Sequence, residues 1–235
     1  MKFKSQLLGL ALAAVALVGG AASSAQAGTF VVGSGADGAN CFPFGCNLGY
    51  TSTVYQQVYA ASDFPGAMSI TGLTFYNSIF PSTPLNSGAY TISLSTTSAA
   101  VDGLDTTTFS NNIGGDNVVL FTGSLPSLVA GGSFTLPFTG AFNYNPANGN
   151  LLLNIDVSGA SGGSSYLNAF NGDAGGLFSR AHNFGSEFSD WGLETGFVTG
   201  AAGVPEPATW GLMLVGFGGL GLALRRTRRS VAAAA

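Results

Sequence analysis

Leu151-Leu152-Leu153-Asn154-Ile155-Asp156-Val157 decides the fold class. Leu151, Leu153, Ile155 and Val157 fall on one face, and Leu152, Asn154 and Asp156 on the other. Successive side chains of a strand point to opposite faces, so this alternation predicts a strand with one buried side. Working outward, Ala89–Ser95 repeats the pattern, with Tyr90, Ile92 and Leu94 set against Thr91, Ser93 and Ser95. Residues 132–138 alternate Phe134, Leu136 and Phe138. Val54–Ala60, Met68–Tyr76, Asn117–Thr122, Tyr166–Phe170 and Leu193–Thr199 are further strand candidates. Turn-forming clusters separate them: PSTPLNSG at 81–88, NNIGGDN at 111–117, NPANGN at 145–150 and SGASGGSS at 158–165. No long helical period interrupts residues 28–203. Many short strands in one domain predict an all-β fold, a jelly-roll-like β-sandwich. Most of the 18 Phe and seven Tyr are then packing residues.

The chain has 235 residues, 46% hydrophobic and only 8% charged, with 36 glycines. An ordinary globular protein carries about 25% charged residues. The net charge of −4 hides an asymmetry. Lys2 and Lys4 stand at one end, and Arg225, Arg226, Arg228 and Arg229 at the other. Between them Arg180 is the one base, against Asp37, Asp63, Asp102, Asp105, Asp116, Asp156, Asp173, Glu187, Asp190 and Glu194. Such an acidic body excludes nucleic acid as a partner, because phosphate binding needs clustered Lys and Arg.

The basic residues at Lys2 and Lys4 precede an apolar run, Leu7–Val18, broken by Gly19 and Gly20. Ala25-Gln26-Ala27 supplies the small-x-small pattern that signal peptidase reads, with cleavage before Gly28. The run is too short to span a membrane, which takes about 20 apolar residues. Residues 1–27 are therefore expected to be a helical signal peptide, and 28–203 the exported domain. No cysteine follows the cleavage point to carry a lipid. Cys41 and Cys46, the two cysteines, both fall in the exported part. In an oxidising compartment this close pair predicts a local disulfide, with Pro43 and Gly45 shaping the loop. Four residues separate them rather than the two of a redox motif, and no further ligands stand nearby for a metal.

Several patterns invite chemistry. Gly33-Ser34-Gly35-Ala36-Asp37-Gly38 spells G-x-G-x-x-G after the apolar Phe30–Val32. The dinucleotide site it suggests needs a following helix, and Cys41-Phe42-Pro43-Phe44-Gly45-Cys46 cannot supply one. Gly159-Ala160-Ser161-Gly162-Gly163 spells G-x-S-x-G behind a strand, but a Gly/Ser loop follows where a hydrolase elbow has its helix. His182, the single histidine, is the only available base for Ser161, and its Gly/Asn/Phe-rich surroundings predict a solvated loop. Asp102, Asp105 and Asp116 lie in Gly/Asn-rich loops where oxygen ligands for calcium could gather, although turn-forming Asp beside Gly reads the same way. Asp190 and Glu194, with Trp191-Gly192-Leu193 between them, do not establish an acid–base pair. No catalytic constellation, metal site or cofactor site is predicted.

The far end begins with Val204-Pro205-Glu206-Pro207-Ala208-Thr209-Trp210. Gly211–Leu224 is an apolar run, closed by Arg225, Arg226, Arg228 and Arg229. With Trp210 the run is about 15 residues, or ~22 Å as a helix, against a hydrocarbon core of ~30 Å. Trp210 suits one membrane interface, and the arginines hold the other end in the cytoplasm as a stop-transfer signal. The expected topology places the body outside and residues 230–235 inside as a cytoplasmic tail.

Pro205-Glu206-Pro207, Trp210, the glycine-rich apolar run and the arginine cluster, in this order, closely resemble the PEP-CTERM sorting signal, in the variant with Trp after Pro-Glu-Pro. The resemblance covers Val204–Arg229, with Gly211 where that variant usually has Ala. It implies processing by an exosortase-type membrane protease near Pro205-Glu206-Pro207, after transient anchoring by a transmembrane helix over 204–229. It also implies export through the inner membrane to a cell surface that produces exopolysaccharide. Segments such as Tyr55-Gln56-Gln57-Val58-Tyr59 and Gly149-Asn150-Leu151-Leu152-Leu153 resemble other surface proteins of this kind. The function expected is a non-enzymatic surface or extracellular-matrix protein of the biofilm. The alternatives are a carbohydrate-binding module, with or without calcium, which exposed Trp191 or Tyr rings would favour, and a surface hydrolase using Ser161 and His182.

Overall fold

The structure is a computed structural model and describes residues 28–33, 38–45, 50–77, 84–127, 132–163, 167–170, 176–183, 191–200 and Phe217. Along the chain the described residues form β1 (Gly28–Val32), β2 (Gly38–Asn40), β3 (Tyr50–Tyr59), β4 (Met68–Tyr76), β5 (Ala89–Thr97) and β6 (Val118–Ser124). β7 (Ser133–Tyr144), β8 (Asn150–Ala160), β9 (Leu167–Phe170), β10 (Phe178–His182), β11 (Gly192–Leu193) and β12 (Thr195–Thr199) follow. All belong to one unit, residues 25–202. The all-β expectation holds. The expected signal helix and the expected transmembrane helix lie outside the described residues, and no described helix is long and apolar enough to cross a membrane. Phe217 alone is described there, helical and exposed.

Two antiparallel sheets face each other. One has the order β1-β12-β4-β7 and the other β10-β3-β8-β5-β6; β11-β9-β2 form a small third sheet. The pairings are nested: β5 with β6, β4 with β7, β3 with β8, and outermost β1 with β12. That nesting is a long hairpin rolled up on itself, with β12 also paired to β4 and β8 to β5. This is the winding of a jelly roll, with β10 added beside β3.

The alternation read from the sequence decides which residues enter the space between the sheets. Tyr90, Ile92 and Leu94 of β5 and Leu151, Leu153, Ile155 and Val157 of β8 are all buried in one core. Leu73 and Phe75 of β4, Phe134 and Leu136 of β7 and Phe197 of β12 meet them from the opposite sheet. Phe197 packs edge-on to Tyr59 at 5.1 Å and to Phe64 at 5.3 Å. Burial of each such side chain contributes about 1.5–3 kcal/mol.

The outer face of the five-stranded sheet is covered as well. Val58, Leu152 and Ala181 pack under Leu104, with Ala99, Val101, Phe109 and Ile113 around them. β3, β8 and β10 are thus buried on both sides. β10 corrects the sequence reading: Phe178–His182 is not a solvated loop but a strand with every residue buried.

Candidate functional site

On β10, Phe178, Arg180 and His182 stand opposite Tyr59, Gln57 and Tyr55 of β3, on the core face. Arg180 is 4% exposed and His182 6%, so the one base of the body is interior, as is the histidine expected in solvent. The Arg180 guanidinium lies 4.7 Å over the Trp191 ring and is hydrogen-bonded to Tyr55. Burial lowers its pKa, and the neighbouring Tyr55 raises it. Burial pushes the Tyr55 hydroxyl up to about 12, against the pull of Arg180. His182 packs edge-on to Phe42 at 5.1 Å. Burial, and then the charge of Arg180, hold the imidazole down at about 4, so it is neutral at pH 7.

Gln57 completes this cluster. Its Oε1 accepts from the Tyr55 hydroxyl and the Leu193 N–H, and its Nε2 donates to the Leu193 carbonyl. Gly192 allows that approach: a Cβ there would come within 2.5 Å of the Phe178 ring and 2.8 Å of Gln57 Cδ. Sequence reading missed the cluster, although its signal was present in Arg180, the one base of an acidic body.

Ser161 and His182 are not brought together. Ser161 is exposed in the loop after β8, where its hydroxyl meets that of Ser87 at 2.9 Å. His182 aligns through Tyr55 with Ile155. Ser161 lies six residues further along the chain, roughly 20 Å of strand.

The acidic loop expected to attract calcium is built differently. Asp105 Oδ1 accepts from the N–H groups of Thr107 and Thr108, and Oδ2 from Asn111 Nδ2. These bonds, led by that from Thr108, hold its carboxyl below the usual range. Asp116 Oδ1 accepts from Thr96 N–H at 2.7 Å, and the Asp102 N–H donates to Ser179. Asn112 Nδ2 donates to Gln56 Oε1, and Gln56 Nε2 to Asn154 Oδ1, tying the loop onto the sheet. Among the described residues no three His, Cys, Asp or Glu side chains gather as metal ligands. Asp190 lies outside the described residues, so its relation to Glu194 is not described.

Carbohydrate recognition was expected to show as exposed rings. Tyr55, Tyr59, Tyr90 and Tyr144 are fully buried, and Trp191 is half-buried. Among the residues of the domain whose side chains are described, no aromatic ring is exposed.

Cys41 is disulfide-bonded. Cys46 lies outside the described residues, as do the signal-cleavage residues Ala25 and Ala27, the sorting residues Pro205, Glu206, Pro207 and Trp210, and Arg225, Arg226, Arg228 and Arg229. The C-terminal segment is characterised instead by comparison. Residues 203–229 match the family of the PEP-CTERM protein-sorting motif. The chain carries a PEP-CTERM sorting motif. It begins three residues after Gly200, whose N–H donates to Ser69 at the end of β12. The motif marks an exported protein anchored through its C-terminal region on the way to the cell surface. No curated protein and no solved structure matches the chain.

Proposed function

We propose that this chain is a non-enzymatic surface or matrix protein. A signal peptide ending at Ala27 exports it, the C-terminal helix holds it transiently, and an exosortase-type protease releases it near Pro205-Glu206-Pro207. The single observation that carries the reading is the sorting motif at 203–229. The separation of Ser161 from His182 supports a non-enzymatic body. The resemblance of the C-terminal segment points to exopolysaccharide as the surroundings of the released domain.

The arginines supply stop-transfer, and Glu206 supplies recognition by the protease. The test is mass spectrometry of the C-terminus of the surface protein. The parent should end before Arg225. Glu206→Ala should insert normally and keep its tail. Replacing Arg225, Arg226, Arg228 and Arg229 by Asn should release full-length protein. A mature parent that still carries Arg225–Arg229 means a permanent anchor and ends this reading.

A further inference from the structure

The outermost strand of a sheet presents unpaired backbone N–H and C=O groups along its free side, and folded proteins blunt such edges. The edges of this sandwich are blunted, with one exception. β7 carries Pro137, which has no N–H, and its register against β4 shifts between Ile70 and Gly72. β6 is irregular against β5 between Ile92 and Ser93, and its Leu120 carbonyl accepts from Thr139 Oγ1 of β7. β10 is buried at every residue. β2 and β11, of three and two residues, are too short to template a further strand.

β1 has none of these devices. It ends the four-stranded sheet, with β12 on one side and no strand on the other among the described residues. Gly28-Thr29-Phe30-Val31-Val32 pairs with β12 without a register shift. The strand holds no proline and no charge, and Thr, Phe and Val suit an extended backbone. Gly28, Thr29 and Val31 are exposed, and Val31, at 38%, is among the few exposed large apolar side chains of the described domain. Thr29 and Val31 share the outer face of the sheet, where the Thr29 methyl lies over Gly196, 2.7 Å from where a Cβ would stand. Phe30 is on the core side, opposite Phe197 and 5.5 Å from Phe64, half-buried at the open margin of the core.

We propose that β1 is the interface through which two copies of this chain associate, edge to edge. An open edge is complemented by another extended backbone, and the β1 sequence complements itself. Laid antiparallel to β1 of a second copy and centred on Phe30, it engages all five residues. Phe30 meets its counterpart on the core side, and Thr29 of each copy meets Val31 of the other on the outer face. A register slipped by one residue sets an outward side chain against an inward one, so the alternation selects the pairing. The contact is two-fold, so it closes at a dimer and consumes both open edges. It joins two four-stranded sheets into one of eight strands. The lack of charge on β1 matters here, because the body is acidic, with Arg180 its one base, and copies repel one another elsewhere. The inference rests on the fold and not on the sorting reading.

The test is photo-crosslinking of the full chain, produced with export and purified in detergent, with a benzophenone amino acid in place of Thr29. Chains grown on ordinary and on heavy nitrogen are mixed, irradiated, digested and analysed by mass spectrometry. The expected product is a mixed-isotope peptide pair linking position 29 of one copy to residues 30–32 of the other. The same probe in place of Thr135, exposed on the blunted β7 edge, should link no second copy. Val31→Lys should abolish the link from position 29, and Val31→Ile should keep it. Val31 faces solvent, so the urea midpoint of Val31→Lys should stay at that of the parent. Should that variant unfold, the mapped link in the parent still decides. No mixed-isotope product from position 29 overturns the proposal. So does a link that maps outside 28–32 of the second copy, to this chain's own residues or to another protein, and so does a folded Val31→Lys chain that links like the parent.

Discussion

The side-chain amide of Gln57 meets both backbone groups of Leu193, 136 residues further along the chain, donating to its carbonyl at 3.0 Å and accepting from its N–H at 2.8 Å. A side chain here does what a neighbouring strand does elsewhere. Gln57 is fully buried, and Leu193 is in the core. Gln57→Leu keeps the volume but leaves two backbone groups and the Tyr55 hydroxyl without this partner. The Leu193 carbonyl keeps the Thr195 hydroxyl and Tyr55 keeps Arg180, so the Leu193 N–H is the group left orphaned, at a cost of about 1–3 kcal/mol. Urea unfolding should show a loss of about 1–3 kcal/mol. A loss below about 0.5 kcal/mol, the ordinary surface range, contradicts this account.

Gly192→Ala should destabilise through a different mechanism. The new methyl meets the Phe178 ring and Gln57 inside normal contact distance. Overpacking of this kind costs about 1–3 kcal/mol. Combined with Gln57→Leu, the losses should be less than additive, because the first change already displaces the amide. Strict additivity in a double-mutant cycle contradicts the contact.

Two groups should pull stability in opposite directions over one pH window. Burial raises Asp63 from 3.8 to about 6, so its folded form binds a proton more tightly than its unfolded form. Its contribution is complete below pH 3.8 and is lost as the pH rises through about 6. Burial lowers His182 from 6.5 to about 4, so its contribution is complete above pH 6.5 and is lost as the pH falls through about 4. Asp63→Asn should therefore steepen the fall in stability on acidification between pH 6 and 4, and His182→Gln should flatten or reverse it. Thermal melts of both variants across this window check the signs. Parallel profiles for the two variants contradict the assignment.

Asp105 should act as a loop cap independent of calcium. Its carboxylate oxygens hold Thr107, Thr108 and Asn111. Asp105→Ala should lower the melting temperature equally with millimolar calcium and with chelator, and calcium should leave the parent's melting temperature unchanged. A calcium-dependent rise in the parent that Asp105→Ala abolishes restores the metal reading.

Tyr59 links the two sheets through its hydroxyl, which donates to Thr195 Oγ1 at 2.8 Å. Tyr59→Phe keeps the ring against Phe197 and removes the bond. The expected loss is about 1 kcal/mol. Thr195→Val should cost about the same or more, since its hydroxyl also donates to the Leu193 carbonyl. No change in unfolding midpoint for either variant contradicts the bond.

By itself the sequence determined which side of these strands enters the main core, and the sorting segment at 203–229. Ala89–Thr97 and Asn150–Ala160 alternate in residue type because one side packs between the sheets and the other carries mostly polar side chains, although loops cover much of that second side too. The tertiary structure alone decided β10. Phe178, Ser179, Arg180, Ala181 and His182 show no alternation, because the core between the sheets covers one face and the loop bearing Leu104 covers the other. The same closure placed His182 inside the protein and separated it from Ser161. It also set Gln57 against Leu193. Those outcomes depend on which distant strand lies alongside, and nested pairing brings together segments that no local pattern connects: Gly28 meets Thr199 only after everything between them has rolled up.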